Sequence, residues 1–374
     1  MADGGGEVKP GTSTFINYGL PEVRDCVFSF IREVCENYDV DGIELDFFRD
    51  PVLFKAQVMG HDAGAEERNM MTELFKRIRE MTEEVGLKRG RPVLIAVRVP
   101  DAAGYCAAIG IDIINLMKYD LIDILVAGDH FQLTSWEKTV RLGHQYGVPV
   151  YPCLSWSWMQ GEAGRIRHCL ACYRARAMNV WNSGADGLYL FNFFSASSPL
   201  WREIGSPEAL KTMDKVYCAD VMGVRVVDYY LINGKRFLEL PYLSPEAPVS
   251  LKPGKDVTIE LLVGDDVYDV QAKEFEPELL LRVCFQKPVN AEHISAKLNG
   301  KQLFGAMSNS IRLDYRINPG LVKKGINSVN IMSVVTNTDK PILQDIFLWI
   351  QYRKRTMDRQ LDAADKSITN IPVN

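Results

Sequence analysis

The sequence is poor in the patterns that announce a metal or a nucleotide. Its five histidines include no HxH or HExxH spacing, so a catalytic zinc has no usual ligand set. One CxxC occurs, Cys169 to Cys172 in "CLAC", and no second pair completes a zinc set. Nor do the eight scattered cysteines suggest a disulfide framework; reduced, mostly buried thiols are expected. No GxGxxG follows a strand-like run, and no GxxxxGK[ST] is present, which removes the usual nucleotide-binding arguments. No metal and no cofactor is expected. An excess of charge of one sign is lacking too. Forty-three basic residues against 48 acidic ones leave a net charge of −5. That makes no electrostatic case for nucleic acid or an anionic membrane surface as a partner. No apolar run is long enough to span a bilayer. The opening "MADGGGEVKPGTST" has neither the basic start nor the apolar stretch of a signal peptide, so the residues assign no localisation.

What is present is a change of rhythm. The 374 residues are enough for two domains. In the first two-thirds, helical and strand-like runs alternate. "PEVRDCVFSFIREVCENY" predicts an amphipathic helix with Pro21 in its first turn, and "DGIELDF" a strand. "EERNMMTELFKRIREMTEEVG" predicts a helix stopped at Gly86, before the strand "PVLIAVRVP". A helical region around Tyr105 to Met117, the strand "LIDILVAGD" and the helix "WEKTVRLGHQYG" follow. Then come "VPVYPCLSW" as a strand, "GRIRHCLACYRARAMNVWNSG" as one long helix, and "ADGLYLFNFF" as a strand. Nearly continuous apolar strands separated by helices predict a parallel sheet covered on both sides.

Such a sheet is either open and doubly wound or part of a barrel. The polar residues decide for the barrel, because they gather at the carboxyl ends of the strands. Asp46 and Arg49 end the first, Arg98 and Asp101 the second, Asp129 and His130 the third. Ser155, Trp156 and Trp158 follow the fourth, and Asn192 ends the fifth. A β/α barrel builds its active face from that edge.

After about Asp220 the pattern changes to short strands between turns rich in Gly, Pro, Asn and Asp. "VRVVDYYLING", "VTIELLVGD", "LLLRVCFQKP", "HISAKLNGKQLF", "IRLDYRIN", "GINSVNIMSVV" and "ILQDIFLWIQYR" predict an antiparallel sandwich or jelly roll. The fold class expected is therefore α/β plus all-β. An incomplete TIM-type (β/α) barrel covers 15–219, a β-sandwich 220–352, and a polar tail 353–374.

The stretch "LPEVRDCVFSFIREVCENYDVDGIELDFFRDP" resembles the central segment of glycosyl-hydrolase-like (β/α) barrel proteins. "GADGLYLFNFF" is similar to the last barrel strand of that family. "LNGKQL" and "VKKGINSVNI" are similar to segments of galactose-binding-like jelly rolls. The resemblance covers most of residues 15 to 350. It implies that "DGIELDF" is the fourth barrel strand and "ADGLYLFNFF" the eighth, with the first three βα units absent. On that reading the chain is N-terminally truncated. Its open edges are then expected to lower solubility or to pair two copies as a homodimer. The family also implies an extracellular or periplasmic location if a segment precedes Met1.

The chemistry implied is action on a polysaccharide or oligosaccharide. Glycoside hydrolysis needs two carboxyl groups flanking the bond. Asp46 falls on the acidic strand-four position of the family and is the first candidate. Glu44 shares its face at i, i+2 spacing, as a partner or as a buried residue paired with Arg98. Strand "YPCLSW" carries no acid, so Asp129 is the alternative second carboxyl, with Glu162 behind it. Arg49 and Arg98 are candidates to orient a carboxylate or bind an acidic sugar. His130 is a candidate for proton transfer or a hydroxyl contact. Phe131, Trp156 and Trp158 fit sugar-stacking platforms, and Asn192 a hydroxyl contact. Three readings stay open. They are a glycosidase, a carbohydrate-binding or scaffold protein that kept the fold without catalysis, and a metal-dependent hydrolase using Asp46, Asp129 and His130.

Overall fold

A computed structural model describes residues 15–223, 226–268, 275–335 and 340–354. The opening glycine-rich stretch and most of the polar tail lie outside the described residues. The chain divides into two compact units that interleave, so the division is not a single cut near residue 220. Unit one comprises residues up to Ser155, Asn182–Phe193 and Val224–Leu240; unit two comprises Trp156–Trp181, Phe194–Gly223 and Pro241 onward.

Unit one carries five parallel strands in the order β1-β2-β3-β4-β5. These are β1 (Gly42–Asp46), β2 (Leu94–Val99), β3 (Ile124–Ala127), β4 (Val150–Leu154) and β5 (Tyr189–Leu190). The strands run almost entirely apolar at β2, β3 and β4, where Ile95, Val97, Val99, Leu125, Val126 and Val150 are buried. The sheet is strongly curled, a half-barrel. Laid flat, four strand spacings would separate β1 from β5 by about 19 Å, beyond the reach of two side chains. Yet Tyr189 on β5 donates a hydrogen bond to Glu44 on β1 at 2.9 Å.

Helix α1 (Pro21–Asn37) starts at Pro21 as its pattern predicts. A short α2 (Lys55–Val58) leads to α3 (Ala65–Arg89). This helix does not stop at Gly86. Gly86 is buried within it, and the left-handed residue that ends it is Gly90, at φ +72°. The helical region around residues 103–118 is two short helices, α4 (Ala103–Ala108) and α5 (Ile113–Lys118), and α6 (Trp136–Gln145) leads into β4. "VRVVDYYLING", expected as a strand, instead holds a helical turn at Val227–Tyr230 and belongs to unit one. Buried Val227 and Tyr230 anchor it: Val227 O accepts from the Tyr105 hydroxyl at 3.0 Å, and Tyr230 O from Gln57 at 3.4 Å.

Unit two is the sandwich. Its strands are β6 (Lys215–Cys218), β7 (Val249–Ser250), β8 (Val257–Val263), β9 (Phe275–Phe285) and β10 (Ile294–Leu298). They continue with β11 (Lys301–Gln302), β12 (Met307–Asn309), β13 (Arg312–Ile317), β14 (Gly325–Ser333) and β15 (Ile342–Lys354). One sheet runs β11-β10-β14-β8, the other β12-β13-β9-β15-β6 with β7 on β15. Leu261, Val329 and Ile331 of the first meet Leu281, Val283, Ile346 and Leu348 of the second in one core. The long helix expected after β4 is two helices, α7 (Gly161–His168) and α8 (Leu170–Asn182), broken by extended backbone at Cys169. Both belong to unit two. Ile166 and Cys172 pack with Phe347 and Trp349 on the outer face of β15. Among the described residues no helix is long and apolar enough to cross a membrane.

Candidate functional site

The half-barrel places charge where its strands end. Parallel register sets Asp46 directly beside Arg98, with Glu44 beside Ala96. Side chains at i, i+2 share a face, so Glu44 and Asp46 point the same way. Asp129 arrives from the turn after β3. Gly128 makes that turn at φ +86°, where a Cβ would also lie 2.8 Å from the Trp136 ring.

Arg98 is the centre of the arrangement, and its side chain is fully buried. One terminal nitrogen bonds Asp46 Oδ2 and the other bonds Asp129 Oδ2. Its Nε lies 3.9 Å from Glu44 Oε1. The Phe191 ring covers the guanidinium at 3.8 Å, a cation–π contact. Burial works against the arginine's charge. The hydrogen bond to Asp46 and the charges of Asp129 and Asp46 outweigh it and hold the guanidinium pKa above its ordinary value. Three carboxylates thus face one guanidinium.

The three acids differ in access. Asp129 is fully covered, and its Oδ1 has no hydrogen-bond partner among the described residues. Glu44 and Asp46 each leave a third of the side chain open. Asp46 Oδ1 also accepts the backbone N–H groups of Phe48, at 2.9 Å, and Arg49, at 3.2 Å, which shapes the turn that follows. Glu44 accepts the Tyr189 hydroxyl. Partial burial, followed by that bond and the Glu44 charge, pushes the Tyr189 pKa well up.

His130 and Phe131 differ from their expected roles as ligand contacts. Phe131 is fully buried against Phe48, at 4.8 Å, and Tyr105, at 5.2 Å, so no ring face is left for a sugar. His130 is also buried, stacked on Tyr230 and edge-on to Phe48 and Phe191. Its Nε2 lies 3.1 Å from Arg49 O and 3.7 Å from Asp129 Oδ2. It braces the site from behind. Arg49 is exposed, with its guanidinium 5.5 Å from the Phe191 ring. Asn192 is exposed too, and its backbone is left-handed at φ +52°, a conformation Asn tolerates better than most residues.

Trp156 and Trp158 are half exposed and belong to unit two. Trp156 lies flat on His168, with ring centroids 3.4 Å apart. Burial, against a bond to Ser157 O, lowers the His168 pKa. Glu162 is bound to Arg312 in the same unit. The structure therefore brings together Glu44, Asp46, Arg98, Asp129 and His130, with Arg49 at the margin.

Three residues of this surround, Tyr189, Phe191 and Tyr230, carried little signal, whereas Asp101 was marked by its place at a strand end. Tyr189 and Phe191 alternate in "LYLFNFF", which could have marked them as facing inward. Tyr230 lies in a segment that reads as part of the sandwich. Asp101, after β2, accepts from Leu133 N and Thr134 N and so pins the loop that follows Asp129 and His130. Burial, against those bonds, pushes its pKa up to about 6. Among the described residues no group of three or more His, Cys, Asp or Glu side chains is arranged to hold a metal ion.

No family model matches the sequence, and no curated protein matches it at a significant level. Solved structures give low-level likenesses. Chitinase ChiW from Paenibacillus sp. str. FPU-7 aligns at a TM-score of 0.37 and 11% identity, over 88% of this chain and 42% of its own. Chitinase ChiA74 from Bacillus thuringiensis aligns at 0.36 and 9%, over 84% and 75%. A family 18 N-acetylglucosaminidase from Paenibacillus barengoltzii aligns at 0.35 and 14%, over 55% and 79%. The chain spans less than half the length of ChiW. At these TM-scores the likeness carries no argument about chemistry.

Proposed function

We propose that the chain is a glycoside-hydrolase-like protein taking a polysaccharide or oligosaccharide at the carboxyl edge of β1–β5. Asp46 is its essential carboxylate and Glu44 the second. The observation that supports this is the surplus of acid around Arg98. A structural ion pair needs one carboxylate per guanidinium, and the fully covered Asp129 already supplies it, so the solvent-accessible Glu44 and Asp46 are the surplus. Such a surplus is retained where charge is used. Glycosidic cleavage develops positive charge on the sugar ring, and fixed anions beside it lower the barrier. Asp46, held in place by Arg98 and two backbone N–H groups, serves as the anion facing the ring. Glu44 is accessible and is oriented by Tyr189. Asp129 is covered and acts through Arg98, as a positioning residue.

A second reading, binding without hydrolysis, is favoured by the acid-poor end of β4. That strand ends at Leu154 and is followed by Ser155, with no acid where a second carboxyl would be supplied. One experiment separates the two. Product release from a panel of oligosaccharides is measured for the wild type, Asp46→Asn and Glu44→Gln, alongside ligand-induced thermal shifts. Hydrolysis that falls by orders of magnitude in Asp46→Asn, with the fold intact, supports the first reading. Thermal shifts without any product support the second. Wild-type turnover in Asp46→Asn excludes the role given to it.

A further inference from the structure

We propose that Cys172 and Cys218 form an oxidisable dithiol, a modification site at which a small-molecule disulfide closes an intramolecular bond tying α8 to β6. Both residues lie in unit two, and neither takes part in the site around Arg98. Their Sγ atoms are 3.9 Å apart across 46 positions of sequence.

The surroundings hold the two sulfurs in place. Cys218 sits at the end of β6, where it pairs with Phe347 of β15. Cys172 lies in the first turn of α8. The helix is fixed by Arg174, which grips Glu203 through two bonds of 2.8 and 2.9 Å. The preceding α7 is anchored by Arg167 on Asp345 of β15, at 2.8 and 3.0 Å. A disulfide needs a sulfur separation of about 2.05 Å, so the two sulfurs must approach by about 2 Å.

The thiols are unequal. The hydrogen bond with Cys218, then the nearby Arg176 and Arg167, pull the Cys172 pKa below its ordinary value against the effect of burial. The same bond and burial hold Cys218 well above. Burial pushes Cys169 up to about 11 and Cys284 up to about 12. Cys172 is therefore the sulfur of the pair that holds its proton less tightly. Cys218 is partly exposed as a residue and Cys172 is fully buried, so Cys218 is the more accessible of the two.

The exchange balances in two steps. Cys218 attacks a disulfide RSSR as its proton passes along the hydrogen bond to Cys172, forming Cys218–S–SR and releasing one thiolate, which carries the proton away as RSH. The Cys172 thiolate then attacks the Cys218 sulfur and releases the second. Two protein thiols lose two electrons and two protons, and RSSR becomes two RSH.

The test uses the full chain with oxidised glutathione as the oxidant and dithiothreitol as its reversal. After oxidation, alkylation and peptide mass mapping, two of the eight cysteines are expected to escape alkylation. A Cys172–Cys218 cross-linked peptide accounts for them. The melting temperature rises by about 5 °C, because the cross-link restricts the unfolded chain. In Cys172→Ala the remaining Cys218 stops at the mixed disulfide with glutathione, in Cys218→Ala Cys172 stays alkylatable, and in both the rise disappears. If a variant fails to fold, the wild-type map alone decides. Free Cys172 and Cys218 after oxidation, or pairing with Cys169 or Cys284 instead, overturns the proposal.

Discussion

Among the described residues each unit buries one arginine completely, and the two are treated differently. In the sandwich, Arg167 meets a single carboxylate, Asp345, through two bonds. Its other bonds go to the carbonyls of Asp220, at 2.8 Å, and Ala163, at 3.2 Å. The donors are used, and burial pushes the other carboxyl that acts on this arginine, Asp220, up to about 6. In the half-barrel, Arg98 faces Glu44, Asp46 and Asp129, and both its Nε and Asp129 Oδ1 lack a hydrogen-bond partner among the described residues. A satisfied one-to-one pair is what architecture asks of a buried charge. Surplus and incomplete satisfaction at the carboxyl edge of a parallel sheet are what chemistry asks of it.

Removing the arginine tests the difference most directly. Arg98→Met leaves three acids uncompensated, and urea unfolding should show a loss of about 3–5 kcal/mol. Adding Asp46→Asn should restore only part, because Glu44 and Asp129 remain. The sandwich pair should behave otherwise. Full restoration in the half-barrel would erase the distinction.

Next in size is a pH effect on which the units should agree. Burial pushes Asp101 in one unit and Asp220 in the other from 3.8 up to about 6. Each folded carboxyl therefore holds its proton more tightly than the unfolded one. The stability gained is full below about pH 3.8 and is lost as pH rises through about 6, at most about 3 kcal/mol per group. Unfolding measured between about pH 4 and about pH 7 should show a flatter slope in Asp101→Asn than in wild type. An unchanged slope would mean that Asp101 does not titrate there.

Smaller effects follow from two left-handed asparagines. Asn299, at φ +50°, bonds Leu321 O, Asn327 Oδ1 and Ser328 N. Asn299→Gly should cost about 1–2 kcal/mol in thermal unfolding. Close behind, Arg167→Met with Asp345→Leu should stay within about 1 kcal/mol of wild type, since a buried pair replaced as a whole loses little. Least of all, exposed Asn192→Gly should change stability by only about 0.3 kcal/mol. If that variant nevertheless lost oligosaccharide binding, the Asn192 side chain would belong to the site and not only to its turn.

Much of the layout was legible because local rules and tertiary packing agree. Pro21 starts its helix and apolar runs mark the parallel strands, whereas "HISAKLNGKQLF", expected as one strand, is a hairpin turned at Asn299-Gly300 between β10 and β11. Failures came where packing overrode a local signal. Gly86 looks like a stop but sits inside α3, because a second glycine four residues on takes the left-handed position. The helix broken at Cys169 reads as continuous, since neither Cys nor His is a breaker. β15 offered a missed clue. Its apolar residues fill both faces, whereas an edge-on-water strand would alternate, and helical cover at Phe347 and Trp349 is the reason.

The site divides along the same line. The sequence by itself determined that Glu44 and Asp46 share a face, that polar residues collect at the strand ends, and that a parallel sheet precedes an antiparallel one. Those properties depend on periodicity and chain direction, which are local. Only the tertiary structure decided that Arg98 binds two aspartates at once, that Phe131 and His130 are buried, and that Tyr189 reaches Glu44. These depend on how tightly five strands curl and on which loops cover their ends, and both are set by contacts between residues far apart in the chain.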